Sequence, residues 1–227
     1  MTLACSTCPV RDSAACAVLE PEERAAMAKA GRTRHLKRGE TLFAAGDAEA
    51  ACATLVSGAM KVTSYDVGGN ERIMALVHPA GFVGELFAPF AGHDVIALAD
   101  SEVCVFGRAD MERALEQYPA LSRALLRRSQ EDLHAARDLL ALGGGASAKA
   151  RVAALVLSLA RAASDSPCHP ASAFELPLSR GEMAAMLGLT IETVSRALTA
   201  LEQDGAIARR STRGIELLDP ARLEVAD

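Results

Sequence analysis

The sequence predicts an α+β fold in which an antiparallel β-domain is followed by a long helix and then by a helix-turn-helix with a β-hairpin behind it. Three observations predict this order. Short apolar runs separated by glycines extend over residues 32–106, a stretch with few helix breakers covers residues 110–142, and a capped helix pair begins at Ser179. With 227 residues and 50% hydrophobic content, the chain can bury a substantial core in one or two domains.

Charge and hydropathy restrict the class of protein. The net charge of -5 gives no general affinity for nucleic acid, so any DNA contact must use a local positive patch. The apolar stretch at residues 152–157 is far shorter than the roughly 20 residues that cross a bilayer. The N-terminus lacks the basic start and apolar run of a signal peptide. We therefore expect a cytoplasmic protein, in which the six cysteines are more suited to ligands, reactive thiols or buried small residues than to disulfides.

Residues 1–20 are predicted to form a cysteine-rich arm. Cys5, Cys8 and Cys16 have the spacing C-x2-C-x7-C, so three thiolates can converge just ahead of the folded domain. One more thiolate would complete a site for an iron-sulfur cluster. The C-x2-C element is equally compatible with tetrahedral zinc, and a thiol redox switch is a further alternative.

Residues 21–108 are predicted to form a domain rich in β-strands. Its apolar runs are short and are broken by glycines at intervals typical of an antiparallel sandwich or barrel. These glycines are Gly39, Gly46, Gly58, Gly68, Gly69, Gly81 and Gly92.

Residues 109–145 are predicted to form a long helix and a hinge. Leucines spaced seven residues apart, with small residues between them, form a pattern typical of a close seam between two helices. The pattern consists of Leu126, Ser129, Leu133, Ala136 and Leu140. On its own it also fits a helix packed on its own domain. Residues 143–145 are all glycine and end the helix; no apolar strand precedes them and no GK[S/T] ending follows, so a hinge is favoured over a phosphate-binding loop.

Residues 146–227 are predicted to begin with a helix over residues 149–163 and to continue into a helix-turn-helix. Ser179 and Glu182 have the S-x-x-E spacing of a capping box, which marks a helix start. The helix should turn at Gly188 and restart after Thr190, a suitable N-cap. Two helices joined by a short glycine-containing turn form a helix-turn-helix.

The second helix of this pair has one apolar face and one polar face. The apolar face consists of Ile191, Val194, Leu198 and Leu201. The polar face consists of Glu192, Ser195, Arg196 and Thr199. Arginine can pair with guanine, glutamate can accept from cytosine and serine can lie against thymine, so this face suits the major groove. The alternative is a simple i, i+4 ion pair between Glu192 and Arg196.

Residues 206–218 are predicted to form a hairpin, or wing, that contributes further DNA contacts. Arg209, Arg210 and Arg213 lie where phosphates would pass, although exposed arginines are also commonly just solvated. Candidate contacts at the starts of the two helices are Ser179, Arg180 and Thr190.

Residues 178–196 resemble the DNA-binding motif of the CRP/FNR family of transcription regulators. Further residues resemble the opening of that family's sensor β-roll: Gly39, Phe43, Gly46, Asp47, Gly58 and Lys61. The resemblance implies a cyclic-nucleotide-binding-like β-roll, a long dimerisation helix and a C-terminal winged helix-turn-helix. It also implies a homodimer that reads palindromic double-stranded DNA and contacts RNA polymerase. In the FNR branch an E-x-x-S-R helix is associated with TTGAT half-sites, and Glu192, Ser195 and Arg196 occupy those positions.

The signal has to be inferred separately, because members of this family sense different ligands. Cyclic-nucleotide sensors of the family follow a Gly-Glu-Leu turn with an arginine that takes the phosphate. Gly84, Glu85 and Leu86 are present here, but no Arg or Lys occurs between them and Cys104. The phosphate would lack its charge-assisted donor, so we expect no cyclic-nucleotide binding.

Similarity to the FNR-type oxygen sensors, especially an FnrL-like branch, implies a 4Fe-4S cluster in each subunit. Cys5, Cys8, Cys16 and Cys104 are then the ligands, whereas Cys52 and Cys168 match no family ligand. The hypothesis is that the cluster ties the arm to Cys104 and favours pairing of the long helices, and that oxygen breaks this tie. Zinc, thiol oxidation or an apolar ligand in the β-roll are alternative cues for the same DNA-binding regulator.

An enzyme or electron carrier is the remaining class to weigh. The five histidines form no recognisable catalytic spacing, and His93-Asp94 is more suited to a turn than to a catalytic dyad. An enzyme would also leave the polar face of the second helix without a role. We therefore expect a regulator and not an enzyme.

Overall fold

The computed structural model describes residues 5–47, 51–88, 90–142, 146–164, 166 and 168–224, with no side chains described over residues 138–142. The chain divides into two compact units, Met1–Ala135 and Ala136–Asp227.

The first unit contains one N-terminal helix and eight strands among its described residues. The helix α1 (Pro21–Ala30) precedes β1 (Arg32–Leu36), β2 (Thr41–Phe43), β3 (Ala51–Ser57), β4 (Met60–Tyr65), β5 (Glu71–Val77), β6 (Phe82–Val83), β7 (Asp94–Ala97) and β8 (Ser101–Gly107). The strands form two sheets, ordered β1-β8-β3-β6 and β2-β7-β4-β5, and all their pairs are antiparallel. The predicted antiparallel β-domain is confirmed.

The two sheets pack face to face around an apolar core, and β8 separates that core from a second one. Val103 and Val105 of β8 belong to the core between the sheets. Cys104 and Phe106 point to the opposite face, because successive side chains of a strand alternate. On that opposite face the N-terminal arm and the following helices form the second core.

The helical stretch predicted as continuous over residues 110–142 consists of two helices. The first, α2 (Arg108–Gln117), ends at Tyr118, and the second, α3 (Pro119–Leu142), starts with proline. Proline is favoured in the first turn of a helix, where its missing N–H is not needed, and it restricts the residue before it. Pro119 therefore begins a new helix.

The second unit builds a helix-turn-helix on a small sheet. Its elements are α4 (Ala148–Ala162), β9 (Ala173–Glu175), α5 (Arg180–Leu187), α6 (Ile191–Gln203), β10 (Ile207–Arg209), β11 (Gly214–Leu217) and α7 (Pro220–Glu224). The predicted hairpin is present as β10 and β11, and β9 adds a third strand to it that the sequence analysis missed. The helix α4, capped by Ser147, is largely buried against α5, α6 and α7.

Over the described residues, no single helix has the length and hydropathy to cross a membrane. The pair α5 and α6 passes such a test only when joined, and the two are bent by 103°.

Candidate functional site

The N-terminal arm folds onto the outer face of the sheet that contains β8. Cys5 lies in a 3₁₀ turn (Cys5–Thr7), and Cys16 lies in a second one (Ala15–Val18). Between them, Val10 and Ala14 are buried against the first unit. The buried arm residues therefore hold the three N-terminal thiols against the domain.

The fourth thiol comes from the middle of β8. Cys104 pairs with Thr33 of β1 on one side and with Thr54 of β3 on the other. This register fixes its depth in the sheet, and strand alternation points it toward the arm.

All four predicted ligands, Cys5, Cys8, Cys16 and Cys104, line one cavity of about 40 Å³, here called the cysteine cavity. The rest of its wall is mainly apolar and comes from the sheet and the helices. It includes Val56, Phe82, Phe106, Met111, Leu121 and Leu125. Residues far apart in the sequence thus bring four sulfur donors into one largely apolar pocket.

Burial and mutual proximity raise the pKa of these thiols. Burial, and then the neighbouring Cys8, Cys5 and Cys16, raise the pKa of Cys104 to about 12. The pKa of Cys16 is raised for the same reasons, and that of Cys5 by burial and Cys8. Because metals bind the thiolate, these protons must leave when a metal centre assembles.

The spacing of the donors differs from that of a single-ion site. Within the part of the chain that the structure describes, no three His, Cys, Asp or Glu side chains are placed to hold one metal ion. A single zinc would need its thiolates at roughly 2.3 Å from one point. A 4Fe-4S cluster would need four thiolates that each bind a different iron atom, and four thiols line this cavity.

The remaining cysteines lie elsewhere. Cys52 on β3 is fully buried in the second core, and burial raises its pKa to about 12. Cys168 is exposed in the second unit. Neither contributes to the cysteine cavity.

Capping residues fix the two helices of the helix-turn-helix. The Ser179 hydroxyl accepts from the N–H of Glu182 at 3.2 Å, and the Glu182 carboxylate accepts from the N–H of Ser179 at 2.7 Å. Gly188 ends α5 in the left-handed conformation, with φ of 60°. The Thr190 hydroxyl then accepts from the N–H of Thr193 at 3.2 Å and starts α6. The capping box, the turn and the N-cap predicted from the sequence are all present.

The helix α6 has the expected two faces, with one correction. Val194, Leu198 and Leu201 are buried, but Ile191, predicted on the same face, is 53% exposed. Ile191 is the first residue of α6, and the buried residues of this helix start at Val194. The apolar face therefore begins at Val194.

The polar face of α6 presents the predicted base-reading side chains. Glu192 and Arg196 are exposed, and Ser195 and Thr199 are half-buried. Arg180 at the start of α5 reaches the Ser195 hydroxyl at 3.5 Å. The pKa of Glu192 is lowered by a backbone hydrogen bond, by the Thr190 hydroxyl and by the charge of Arg196, so this carboxylate is available as a charged acceptor.

The wing arginines differ in their partners. Arg209 donates from Nε to the Glu202 carboxylate at 2.9 Å, and Arg210 forms an ion pair with Glu216. Arg213 lies in the turn between β10 and β11, where its backbone N–H donates to Ser211. Carboxylates of the second unit thus already neutralise Arg209 and Arg210.

The predicted seam lies on α3. Leu126 and Leu133 are 63% and 48% exposed, Ser129 is exposed and Ala136 is half-buried. The side chain of Leu140 falls outside the described residues. On the other side of α3, Leu121 and Leu125 line the cysteine cavity, so one helix contacts the thiol site and presents exposed leucines.

Two further features bear on the site. Arg24 of α1 lines the cysteine cavity, and the sequence analysis missed it because an arginine near a cysteine motif gives no distinctive spacing. Glu85, in the turn where a cyclic nucleotide would bind, instead pairs with His93 Nδ1 at 3.1 Å.

Comparison with known families and proteins agrees with both units. Residues 33–118 match the cyclic nucleotide-binding domain, and residues 150–226 match the Crp-like helix-turn-helix domain.

Two relatives resemble nearly the whole chain. The transcriptional activator protein FnrL of Cereibacter sphaeroides is 34% identical over 222 residues, covering 96% of this chain and 90% of FnrL. The nitrogen fixation regulation protein FixK of Bradyrhizobium diazoefficiens is 35% identical, covering 97% of this chain and 92% of FixK. Among solved structures, FixK2 from Bradyrhizobium japonicum superposes with a TM-score of 0.79 at 27% identity, over 87% of this chain and 97% of FixK2.

Proposed function

Because the chain belongs to the CRP/FNR family of DNA-binding transcription regulators, we propose that it senses oxygen through one 4Fe-4S cluster bound in the cysteine cavity. The observation that supports this most directly is the convergence of Cys5, Cys8, Cys16 and Cys104 on one largely apolar pocket. When bound, such a cluster supplies an oxygen-labile link between the arm and β8.

The helix α3 connects the cysteine cavity with the proposed dimer contact. The cavity wall includes Leu121 and Leu125 of α3 together with the cysteines of the arm, so the arm lies against this helix. The same helix exposes Leu126 and Leu133, which we propose pair with their copies in a homodimer. Assembly of the cluster then favours the dimer only to the extent that the dimer binds the cluster more tightly than the monomer does.

The dimer would present two copies of α6 to successive turns of a palindromic operator. Arg196 is suited to pair with guanine, Glu192 to accept from cytosine and Ser195 to contact thymine. We propose TTGAT-like half-sites for this combination, with Thr199 on the same base-reading face and with further DNA contacts from Ser179, Arg180, Thr190 and the wing. The FnrL relative is described as a transcriptional activator, and we propose the same role here, with RNA polymerase as the protein partner.

A single preparation can test this proposal. The chain, purified without air, is examined by absorption and Mössbauer spectroscopy, its iron and acid-labile sulfide are measured, and operator binding is followed before and after exposure to air. We expect a 4Fe-4S spectrum and DNA binding that decline together. A protein that contains no iron or sulfide and still binds its operator would overturn the proposal, and stoichiometric zinc would favour a zinc-dependent regulator.

The ligand assignment is tested with cysteine variants. Cys104→Ala is expected to lose the anaerobic 4Fe-4S spectrum, because one of four thiolates is removed. Cys168→Ala is the matched control, since Cys168 is exposed and lies in the other unit. A Cys104→Ala protein that keeps both the spectrum and oxygen-sensitive DNA binding would show that the ligand set is wrong.

A further inference from the structure

Arg24 lies on α1, and its guanidinium is anchored beside the cysteine cavity. Its Nη2 donates to the carbonyl of Ala17 at 3.2 Å and to that of Leu19 at 3.0 Å. Both carbonyls belong to the segment directly after Cys16. The side chain therefore holds the Cys16 segment against α1 and lines the cavity at the same time.

The other edge of this guanidinium has an unused donor. Arg24 Nε is buried, and no acceptor among the described residues hydrogen-bonds to it. A buried donor without a partner is unfavourable, and more so when it carries charge. A charged group in such a position calls for an anionic partner.

The thiols supply the electrostatic counterpart. Arg24 lines the same cavity as Cys5, Cys8, Cys16 and Cys104. Four thiolates around an iron-sulfur core carry a net negative charge, which an apolar wall does not compensate. Arg24 is thus a half-buried cation placed where that charge would develop.

We propose that Arg24 is the positioning and charge-compensating residue of the cysteine centre, with its Nε–H donating to a sulfur atom of the cluster or of a ligand thiolate. This inference rests on the proposed function. Hydrogen bonds to sulfur and nearby charge are among the factors that set the potential of an iron-sulfur site. A donor that is charged makes a stronger bond than a neutral one.

An arginine outside the cavity provides the matched control. Arg113 of α2 is not part of the cavity wall, its side chain is 69% exposed, and it pairs with Asp110. Its charge is therefore compensated and screened by water. Removing it should leave the properties of the centre nearly unchanged.

The test compares Arg24→Gln, Arg24→Lys and Arg113→Gln with the unaltered chain after anaerobic reconstitution. The readouts are iron and sulfide content, the midpoint potential, and the rate at which air bleaches the cluster absorbance. We expect Arg24→Gln to have a more negative potential, since the reduced cluster loses a compensating charge, and to bleach about three- to tenfold faster. Arg24→Lys should fall between Arg24→Gln and the unaltered chain, and Arg113→Gln should match the unaltered chain.

A spectroscopic measurement tests the hydrogen bond in the unaltered chain, with Arg24→Lys as its control. In protein labelled with nitrogen-15 arginine, pulsed EPR of the reduced cluster should show a nitrogen coupling, and Arg24→Lys should abolish it. This readout is independent of a purely structural role of Arg24 and remains available if Arg24→Gln does not fold.

The outcomes separate this inference from the proposed function. A loaded, unaltered cluster without nitrogen coupling, or an Arg24→Gln protein with unchanged potential and bleaching rate, overturns the role of Arg24 alone. An unaltered chain that takes up neither iron nor sulfide overturns the proposed function, and the role of Arg24 with it.

Discussion

Arg196 is exposed on α6, and its Nη2 lies 3.4 Å from the Thr193 hydroxyl. Thr193 and Glu192 leave the Arg196 guanidinium exposed. It can therefore contact a base edge without breaking interactions within the protein core. The same helix is fixed to the unit by Val194, Leu198 and Leu201. The proposed base reading and the folding of the unit therefore depend on different residues of one helix.

Arg196→Ala is expected to weaken operator binding by about 1–3 kcal/mol and to relax sequence preference at one position of each half-site, because a bidentate contact with guanine is lost. Fluorescence anisotropy with matched and mismatched operators measures both effects. Arg161→Ala serves as control, since Arg161 pairs with Glu224 at 2.8 Å and lies on α4. Unchanged binding by a folded Arg196→Ala protein would contradict the proposed reading face.

The wing arginines are expected to differ in their contribution to the salt dependence of binding. Arg213→Ala should weaken binding to all sequences similarly and reduce the slope of log K against log salt by about one, as for one phosphate contact. Arg209→Ala should change the slope less, because Glu202 already neutralises Arg209. Equal changes in slope for the two variants would show that the ion pair does not matter on DNA.

At the scale of elements, the turn between α5 and α6 sets where the reading helix begins. Gly188 adopts φ of 60° and ψ of 42°, and a Cβ built there would come no closer than 3.7 Å to Arg151. The requirement for glycine is therefore one of backbone conformation and not of space.

Gly188→Ala is expected to lower the free energy of unfolding of the second unit by about 1 kcal/mol, the cost of a left-handed alanine. Gly181→Ala should have the opposite sign and raise it by about 0.5–1 kcal/mol, because Gly181 is helical and its Cβ would meet nothing closer than 3.8 Å. Urea unfolding followed by circular dichroism measures both. If both variants shifted stability in the same direction, this explanation of the turn would fail.

The elements best predicted from the sequence are those defined by local chemistry. Ser179, Glu182, Gly188 and Thr190 specify caps and a turn through backbone groups only a few residues away. The break at Pro119 was missed because a proline in the first turn of a helix gives no signal of disruption. The strand β9 is only three residues long and becomes recognisable only through its pairing with β11.

The cysteine cavity could be predicted only in part. The spacing of Cys5, Cys8 and Cys16 indicated a metal or redox site, but it could not supply a fourth donor from a distant strand. Cys104 was chosen through family resemblance, and sheet register brings it to the cavity. Arg24 depends on the packing of α1 against the arm, which no sequence pattern encodes.

At the scale of the whole molecule, α3 joins the thiol site to the proposed subunit contact. Its inner side contributes Leu121 and Leu125 to the cysteine cavity, and its outer side exposes Leu126 and Leu133. Exposed leucines at a seven-residue spacing are expected to be covered by a second copy of the helix.

Leu133→Glu is expected to raise the dimer dissociation constant at least about tenfold. Each subunit would bring a carboxylate into an apolar seam, opposite the same charge on its partner. Anaerobic sedimentation equilibrium measures this change. The variant should keep the cluster spectrum of the unaltered chain while binding its operator weakly. Met74→Glu is the control, since Met74 is similarly exposed but lies on β5. A Leu133→Glu protein that remains fully dimeric would place the subunit contact elsewhere.

The alternation along β8 limits how this protein can change over evolution or by engineering. One residue inserted or deleted just before Val103 would exchange the two faces of the strand, placing the thiol between the sheets and a valine at the pocket. Length changes are therefore tolerable in the surface loops but not at this strand. Transplanting the proposed cysteine site into another β-domain of this kind would require matching the alternation of the strand before matching any cysteine.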